Sequence, residues 1–341
     1  MPRPENHAAA SDYRFSIAPM MDWSDRHCRY FWRLLSKRAR LYTEMITSSA
    51  LLHGDSEKLL AYDDAEHPLA VQLGGSEADD LARAAVICER AGYDEINLNV
   101  GCPSERVQSG AFGACLMNEP ATVAGCIRAM RDAVSIPVTI KCRLGVDEND
   151  SYAALRDFVG SNRDAGCDVF IVHARKAWLK GLSPKENREI PPLNYPRVYQ
   201  LKADFPGLTI VLNGGIKSLA ACSDVLQKLD GVMLGREAYQ NPYLLADVDQ
   251  TMFGEQPLSS LPGRLQIATQ YQAYIARELE GGARLNHMTR HMLGLFNGEP
   301  NARRWRRFLS ENAHKPGAGT EVYQRALQII STGTETGAVS A

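Results

Sequence analysis

The sequence predicts an α/β protein: a (β/α)8 TIM barrel followed by a small C-terminal helical domain. Three observations predict it. Eight short apolar runs recur within the first 240 residues, each followed by a loop and then a helical pattern. Nearly every run ends on a polar or charged residue. The alternation then stops near residue 250, beyond which helical periodicity alone continues. Strand counting does not show that the sheet closes, so a doubly wound open sheet is the second expectation.

In chain order, MPRPENHAAASD is polar, lacks an apolar h-region and reads as a disordered arm over 1–12. FSIA (15–18) is the first strand and 24–36 the first helix. RLYTEM (40–45) and LAVQL (69–73) follow. The next helix, 76–91, has Ser76 as expected N-cap and an acidic first turn. EINLNV (95–100) runs into GCPSERVQSGAFGACLM, whose Gly110 and Gly113 suit a loop that closes over a ligand. Helix 119–133, strand PVTIKCR (137–143), helix 151–165 and strand DVFIVHA (168–174) come next. Helix 195–204, strand LTIVLNGG (208–215), helix 217–228 and strand GVMLGR (231–236) complete a barrel over 13–250. Gly, Pro and Ser mark a linker over 251–263. Four segments of helical periodicity form a domain over 264–330, and the small polar tail 331–341 is expected to be disordered.

A net charge of -2 and a pI near 6.5 exclude a global field for nucleic acid or anionic membrane. The charge is uneven, however. Residues 251–341 hold ten Lys/Arg against seven Asp/Glu (+3), and residues 1–250 hold 28 against 33 (-5). The eight cysteines, Cys28, Cys88, Cys102, Cys115, Cys126, Cys142, Cys167 and Cys222, form no CxxC pair and follow no secretory signal. Reduced thiols in a cytoplasmic protein are expected, with no metal site. No apolar run reaches the roughly 18 residues a membrane span needs. His287 and His291 stand four apart, but Met288 occupies the glutamate position of HExxH, so they read as surface or packing residues. No obligate protein partner is evident.

The strand ends carry the chemistry: Pro19 and Met20, Glu44, Gln72, Asn99, Lys141, His173, Asn213 and Arg236. In such a barrel these ends line one mouth, and loops after the seventh and eighth strands commonly bind phosphate. Asn213-Gly214-Gly215 and Gly235-Arg236 suit that role, although each alone reads as a tight turn. A phosphate site facing Gln72, Lys141 and His173 suits FMN, with Lys141 beside the flavin N1–C2=O edge. Lys141 also admits two other readings, a lysine snorkelling to solvent or a Schiff-base lysine.

APMMDWSDRHCRYFWR (18–33), YTEM (42–45), NLNVGCPS (97–104), IKCRLGVD (140–147), HARKAWLKGLSPKENREIPPL (173–193), NGGI (213–216) and GREAYQNP (235–242) together resemble the tRNA-dihydrouridine synthases. KGLSPKENREIPPL is most similar to the DusA subgroup, and the resemblance covers about residues 13–330. It implies flavin-dependent reduction of uridine in the tRNA D-loop, at positions 20 and 20a for that subgroup, with NADPH as reductant. FMN would be held by Pro19, Met20, Met21, Gln72, Lys141, His173, Asn213, Gly214, Gly215, Gly235 and Arg236. Asn99 would bond the uracil and Cys102 would donate the proton. Contacts to tRNA would fall on Lys185, Arg188, Asn301 and Arg304.

The chemistry agrees for Cys102. Reducing the uracil 5,6 bond takes a hydride at C6 and a proton at C5. A thiol with an ordinary pKa near 8.5 is protonated at neutral pH, whereas histidine near 6.5 is mostly discharged. No second ligand stands at zinc spacing, and attack by sulfur at C6 would block the hydride. A buried structural thiol remains the default for Cys88, Cys126, Cys167 and Cys222.

A base must leave its stack to reach a barrel mouth, so the surroundings must grip the backbone. Arg26, Arg29, Arg33, Lys37, Arg38 and Arg40 crowd the first helix and its exit, and Arg303, Arg304, Arg306 and Arg307 flank Trp305. Arg175, Lys176, Lys180, Lys185 and Arg188 fall in the sixth βα loop. Such clusters are usually solvated faces, but around a mouth they favour RNA. The alternative function is a small-molecule flavin oxidoreductase of the dihydroorotate or dihydropyrimidine dehydrogenase kind. A non-catalytic RNA-binding module and an aldolase stand behind it.

Overall fold

The computed structural model of the protein describes residues 10–255 and 263–335. Eight parallel strands form one sheet: β1 (Phe15–Ile17), β2 (Leu41–Thr47), β3 (Leu69–Gly74), β4 (Glu95–Val100), β5 (Val138–Arg143), β6 (Val169–His173), β7 (Thr209–Asn213) and β8 (Gly231–Leu234). Each expected strand is present, β4 with the expected bounds and the others within two residues of theirs. The order β1-β8-β7-β6-β5-β4-β3-β2 leaves β1 and β2 as the ends, and they meet. Ile17 N–H donates to Arg40 O at 2.9 Å and Arg40 N–H to Phe15 O at 3.1 Å, which closes the barrel. The open-sheet expectation falls away.

The strands are buried on both faces, as parallel sheets are. Tyr13, Tyr42, Ala70, Val169, Ile171, Val211 and Met233 form one buried cluster. Tyr13 lies just before β1 and the others come from β2, β3, β6, β7 and β8, on both sides of the sheet's closure, so this cluster fills the barrel. Along β4, Ile96, Leu98 and Val100 are buried on the other face, so Glu95, Asn97 and Asn99 point into the barrel.

The expected helices appear as Arg26–Leu35, Ala78–Arg90, Pro120–Ala133, Tyr152–Asp164, Tyr195–Asp204 and Leu219–Leu226. Ser76 is not a cap: Glu77 occupies the N-cap position and makes no side-chain capping bond. Ser151 and Ser218 do cap their helices. Short turns of helix stand where a loop was expected, at Ser48–His53 and Ser56–Leu59 and, after β4, at Glu105–Ser109 and Gly113–Asn118.

The chain divides into two compact units. One runs up to Asp22 and from Arg40 to Gly235 and holds the sheet. The other takes Trp23 to Ala39 and everything from Arg236 on. In the second, the helix Arg26–Leu35 packs on the C-terminal helices Arg264–Glu280 and Leu285–Thr289, and these in turn meet Thr320–Glu335 and Ala302–Asn312. Tyr30 stacks on Tyr274 at 4.0 Å, Tyr271 OH donates to His27 O at 3.0 Å, and Arg26 pairs with Glu278. The last helix runs to Glu335, into the tail expected to be disordered from 331, and the rest of that tail lies outside the described residues. So do most of the N-terminal arm and residues 256–262 of the linker. Among the described residues, no helix is long and apolar enough to cross a membrane.

Candidate active site

The turn after β4 is held from three sides. Asn99 Oδ1 accepts from the N–H groups of Gly101 and Cys102, both at 3.0 Å, and Asn99 Nδ2 donates to Gln72 Oε1 at 2.8 Å. Cys102 O accepts from Ala114 N–H at 2.9 Å, folding the following loop back over the turn. Gly113 allows that approach: its φ is +79°, and a Cβ there would stand 2.6 Å from Cys102 O. Gln108 Nε2 ties the loop to Leu179 O at 2.9 Å.

All eight cysteines are free thiols, and only Cys102 and Cys115 are partly exposed. Burial pushes Cys88, Cys142 and Cys222 up to about 12 and Cys126 up to about 11. These inert thiols match the structural reading of Cys88, Cys126, Cys167 and Cys222.

Beside the turn lies a group of cations. Lys141 is in register with Asn99, Arg143 with His173, and His173 with Asn213. Among the described residues no hydrogen bond or ion pair engages the Lys141 ammonium. Burial, then Arg143, pushes it down to about 8. Burial also pushes Arg143 down to about 10, with Arg188 and Arg175 acting the same way against Cys102. His173 is held neutral by burial and by Arg143, Lys141, Arg175 and Arg188. A bound anion would relieve every one of these shifts.

The glycine turns complete the cradle. Gly214 and Gly215 have φ of +109° and +76°, and Tyr195 OH fixes the turn by donating to Gly214 O at 2.6 Å. A Cβ on Gly214 would fall 2.5 Å from the His173 ring. Above Gly235 the space is open, with Ala18 the nearest atom at 3.9 Å, and Arg236 opens the next helix in the chain. Asn213 spends its Nδ2 on Met233 O at 2.8 Å. Pro19 and Met20 are half-buried, and Met21 is 57% exposed. A two-glycine cradle, an unengaged ammonium and a buried neutral histidine fit a flat ring bearing a phosphate, so the donor set suits FMN.

The sixth βα loop is built around Asn187. Its fully buried side chain accepts from Trp178 N–H at 2.7 Å and donates to Trp178 O at 2.9 Å and Leu182 O at 3.1 Å. This leaves Lys180, Lys185 and Arg188 exposed. Lys176 is engaged with Asp150 at 3.2 Å and with the Trp178 ring at 3.9 Å, and Arg175 NH1 donates to Glu189 O at 3.2 Å. In the second unit, Asn301 occupies the N-cap position of Ala302–Asn312 at φ +61°, makes no side-chain capping bond and donates to Ile329 O at 3.0 Å, while Arg304 is exposed.

The basic crowd at the first helix is mostly not a binding face. Arg29, Arg33 and Arg40 are buried and bond Ser24 O, Ser36 O with Ala39 O, and Asp12 O. Arg26 and Arg38 pair with Glu278 and Glu255. A basic count reads charge but not burial. His291 is buried against Asp25 and Tyr239, and among the described residues no group of side chains could hold a metal ion.

Sequence reasoning missed Arg143, Asn187, Tyr195 and the inward face of β4. Arg143 was legible as a second charged residue two positions after Lys141, which puts both on one face of β5. Asn187 and Tyr195 carried no signal, since their partners are backbone groups across loops.

The family described as dihydrouridine synthase (Dus) matches residues 16–331. A protein of Salmonella typhimurium named tRNA-dihydrouridine(20/20a) synthase is 59% identical over 96% of this chain and 99% of its own. Proteins of the same name from Vibrio vulnificus and Escherichia coli K12 are 61% and 60% identical, each over 93% of this chain and 97% and 92% of theirs. Among solved structures, 2-naphthoyl-CoA reductase in complex with 2-naphthoyl-CoA superposes with a TM-score of 0.55 at 12% identity. It covers 70% of this chain and 50% of that one, a likeness of fold alone.

Proposed function

From a chain that belongs to the dihydrouridine synthase family, we propose that it reduces uridine to 5,6-dihydrouridine in the D-loop of tRNA, at positions 20 and 20a as its relatives' names read. FMN is the proposed flavin, held by Pro19, Met20, Met21, Gln72, Lys141, His173, Asn213, Gly214, Gly215, Gly235 and Arg236, and NADPH is the proposed reductant. When bound and reduced, the flavin supplies the hydride for uracil C6.

The chain's own residues do the rest. Cys102 holds the proton for C5 at Sγ, on a turn whose N–H is accepted by Asn99. Asn99 orients the base through its remaining amide hydrogen. Lys141 offsets negative charge on the ring system, and the burial and Arg143 that lower its pKa are what such a charge would counter. Arg175, Lys185 and Arg188 from the barrel, and Asn301 and Arg304 from the helical unit, are the proposed backbone contacts. The observation that carries this reading is the turn itself, a half-buried thiol held beside an unengaged lysine and a glycine cradle.

The small-molecule flavin oxidoreductase is not favoured, because relatives near 60% identity over most of the chain are named for tRNA. The test is incubation of the as-isolated protein and Cys102→Ala with NADPH and tRNA lacking dihydrouridine, then mapping by mass spectrometry. Product at one or two D-loop positions, lost in the variant, supports substrate and proton donor together. No product from flavin-loaded wild type defeats the tRNA assignment.

A further inference from the structure

A file of buried polar side chains runs through the barrel from its mouth to its opposite end. Asn99 Nδ2 donates to Gln72 Oε1 at 2.8 Å, and Gln72 Nε2 to Asn97 Oδ1 at 2.7 Å. Asn97 Nδ2 donates to Thr139 Oγ1 at 2.8 Å, and Thr139 Oγ1 to Glu95 Oε1 at 2.6 Å. Tyr42 OH also donates to Glu95 Oε1, at 3.0 Å, and Arg40 NH1 stands 3.2 Å from Glu95 Oε2. Glu95, Asn97, Thr139 and Tyr42 are fully buried, and Gln72 is 1% exposed.

Every bond in this file points the same way, and its direction has a cause. A carboxylate only accepts, so Thr139 must give its single hydrogen to Glu95 and keeps only lone pairs for Asn97. Asn97 must then present its amide nitrogen to Thr139 and its oxygen to Gln72. Gln72 in turn presents nitrogen to Asn97 and oxygen to Asn99. Asn99 therefore turns Nδ2 inward, which leaves Oδ1 for the N–H groups of Gly101 and Cys102. Reversing one amide would set donor against donor among fully buried groups, and such mismatches are costly.

We propose that Glu95, at the far end of β4 from Cys102, is a positioning residue. Paired with Arg40, it sets the amide orientation of Asn97, Gln72 and Asn99 and thereby holds the Cys102 turn. The proposal rests on the roles given above to Asn99 and Cys102, so its test separates the two.

Thr139→Val keeps the shape and removes the hydroxyl at the centre of the file, whereas Thr139→Ser keeps the hydroxyl. Hydrogen exchange at the Gly101 and Cys102 amides, and turnover on tRNA, are measured on the flavin-loaded full chain. Exchange at these two amides is expected to rise about tenfold in Thr139→Val, the loss of one net hydrogen bond, and to return in Thr139→Ser. Turnover falls with it while KM for tRNA holds. Should Thr139→Val not fold, Glu95→Gln reads the same point: Arg40, 3.2 Å from Oε2, draws the new amide's oxygen and turns its nitrogen toward Thr139, which reverses the file and releases the same two amides. Wild-type exchange at Gly101 and Cys102 in the folded variant overturns the proposal, as does equal loss in Thr139→Val and Thr139→Ser. Wild-type protein that makes no dihydrouridine defeats the tRNA reading alone, and the exchange result still decides the file.

Discussion

Arg143 donates from Nε to the carbonyl of Gly101 at 2.9 Å, joining the end of β5 to the turn that carries Cys102. Its NH1 reaches Asn187 O at 2.9 Å and Lys176 O at 3.2 Å, so one guanidinium braces two loops of the mouth. Lysine has the charge but not the fork. Arg143→Lys is expected to lower unfolding free energy by about 2–4 kcal/mol, because buried carbonyls lose their donor. Urea denaturation reads the loss, and limited proteolysis should cut first within residues 175–190. An unchanged midpoint would mean the fork is dispensable.

Gly113 and Gly125 make a matched pair. Gly113→Ala forces an alanine to φ +79° with its Cβ 2.6 Å from Cys102 O, a strain of about 1–3 kcal/mol placed on the turn. Alkylation of Cys102, followed on its peptide by mass spectrometry, should change rate several-fold, since thiol reactivity follows its surroundings. Gly125 lies inside the helix Pro120–Ala133, and a Cβ added there would meet nothing within 4 Å, so Gly125→Ala should stabilise by about 0.5–1 kcal/mol.

In the proposed flavin site, Lys141 is expected to give flavin binding a pH dependence. Burial and Arg143 hold it down to about 8, against an ordinary value near 10.4. Below pH 8 the ammonium is charged and flavin affinity is flat. Above it, the free protein must take up a proton to engage an anionic ligand, so affinity falls by up to about tenfold per pH unit. Flavin titrations between pH 7 and 10 measure the slope, and Lys141→Met should abolish it. A flat wild-type profile would remove Lys141 from the flavin site.

The helical unit has its own acid limit. Burial holds His27 down to about 4, with its ring 2.7 Å from Tyr274 OH. A histidine whose folded pKa is lowered contributes full stability above the unfolded value near 6.5. That contribution falls as pH drops from 6.5 toward 4, by at most about 3 kcal/mol, as the unfolded chain takes the proton first. His291, lowered by burial against the pull of Asp25, adds in the same direction. Asp25 is held well below its ordinary value, against burial, by bonds from His291, Cys28 N–H and Arg290, so its share is lost only in stronger acid. Thermal midpoints from pH 7.5 to 4.5 should show the decline, and His27→Gln should flatten most of it.

The strand ends are the most legible part of the molecule. Gln72, Asn99, Lys141, His173 and Asn213 stand at the C-terminal ends of their strands, because a period-2 pattern bounded by glycine and proline is local information. Arg29, Arg33 and Arg40 mislead as a basic cluster, because burial of an arginine depends on carbonyls brought from elsewhere in the chain.

By itself the sequence determined the eight strands, their alternation with helices and the side chains that close each one, since spacing and chain direction settle which residues share a face. Tertiary structure decided the rest. Closure depends on Ser16 meeting Arg40, a pairing no local pattern encodes. In β4, moreover, both faces are buried, so alternation separates Ile96, Leu98 and Val100 from Glu95, Asn97 and Asn99 without telling which set lines the barrel. Only the partners do. Buried polar groups go where hydrogen bonds await them, and those of β4 find Gln72, Thr139 and Tyr42 across neighbouring strands.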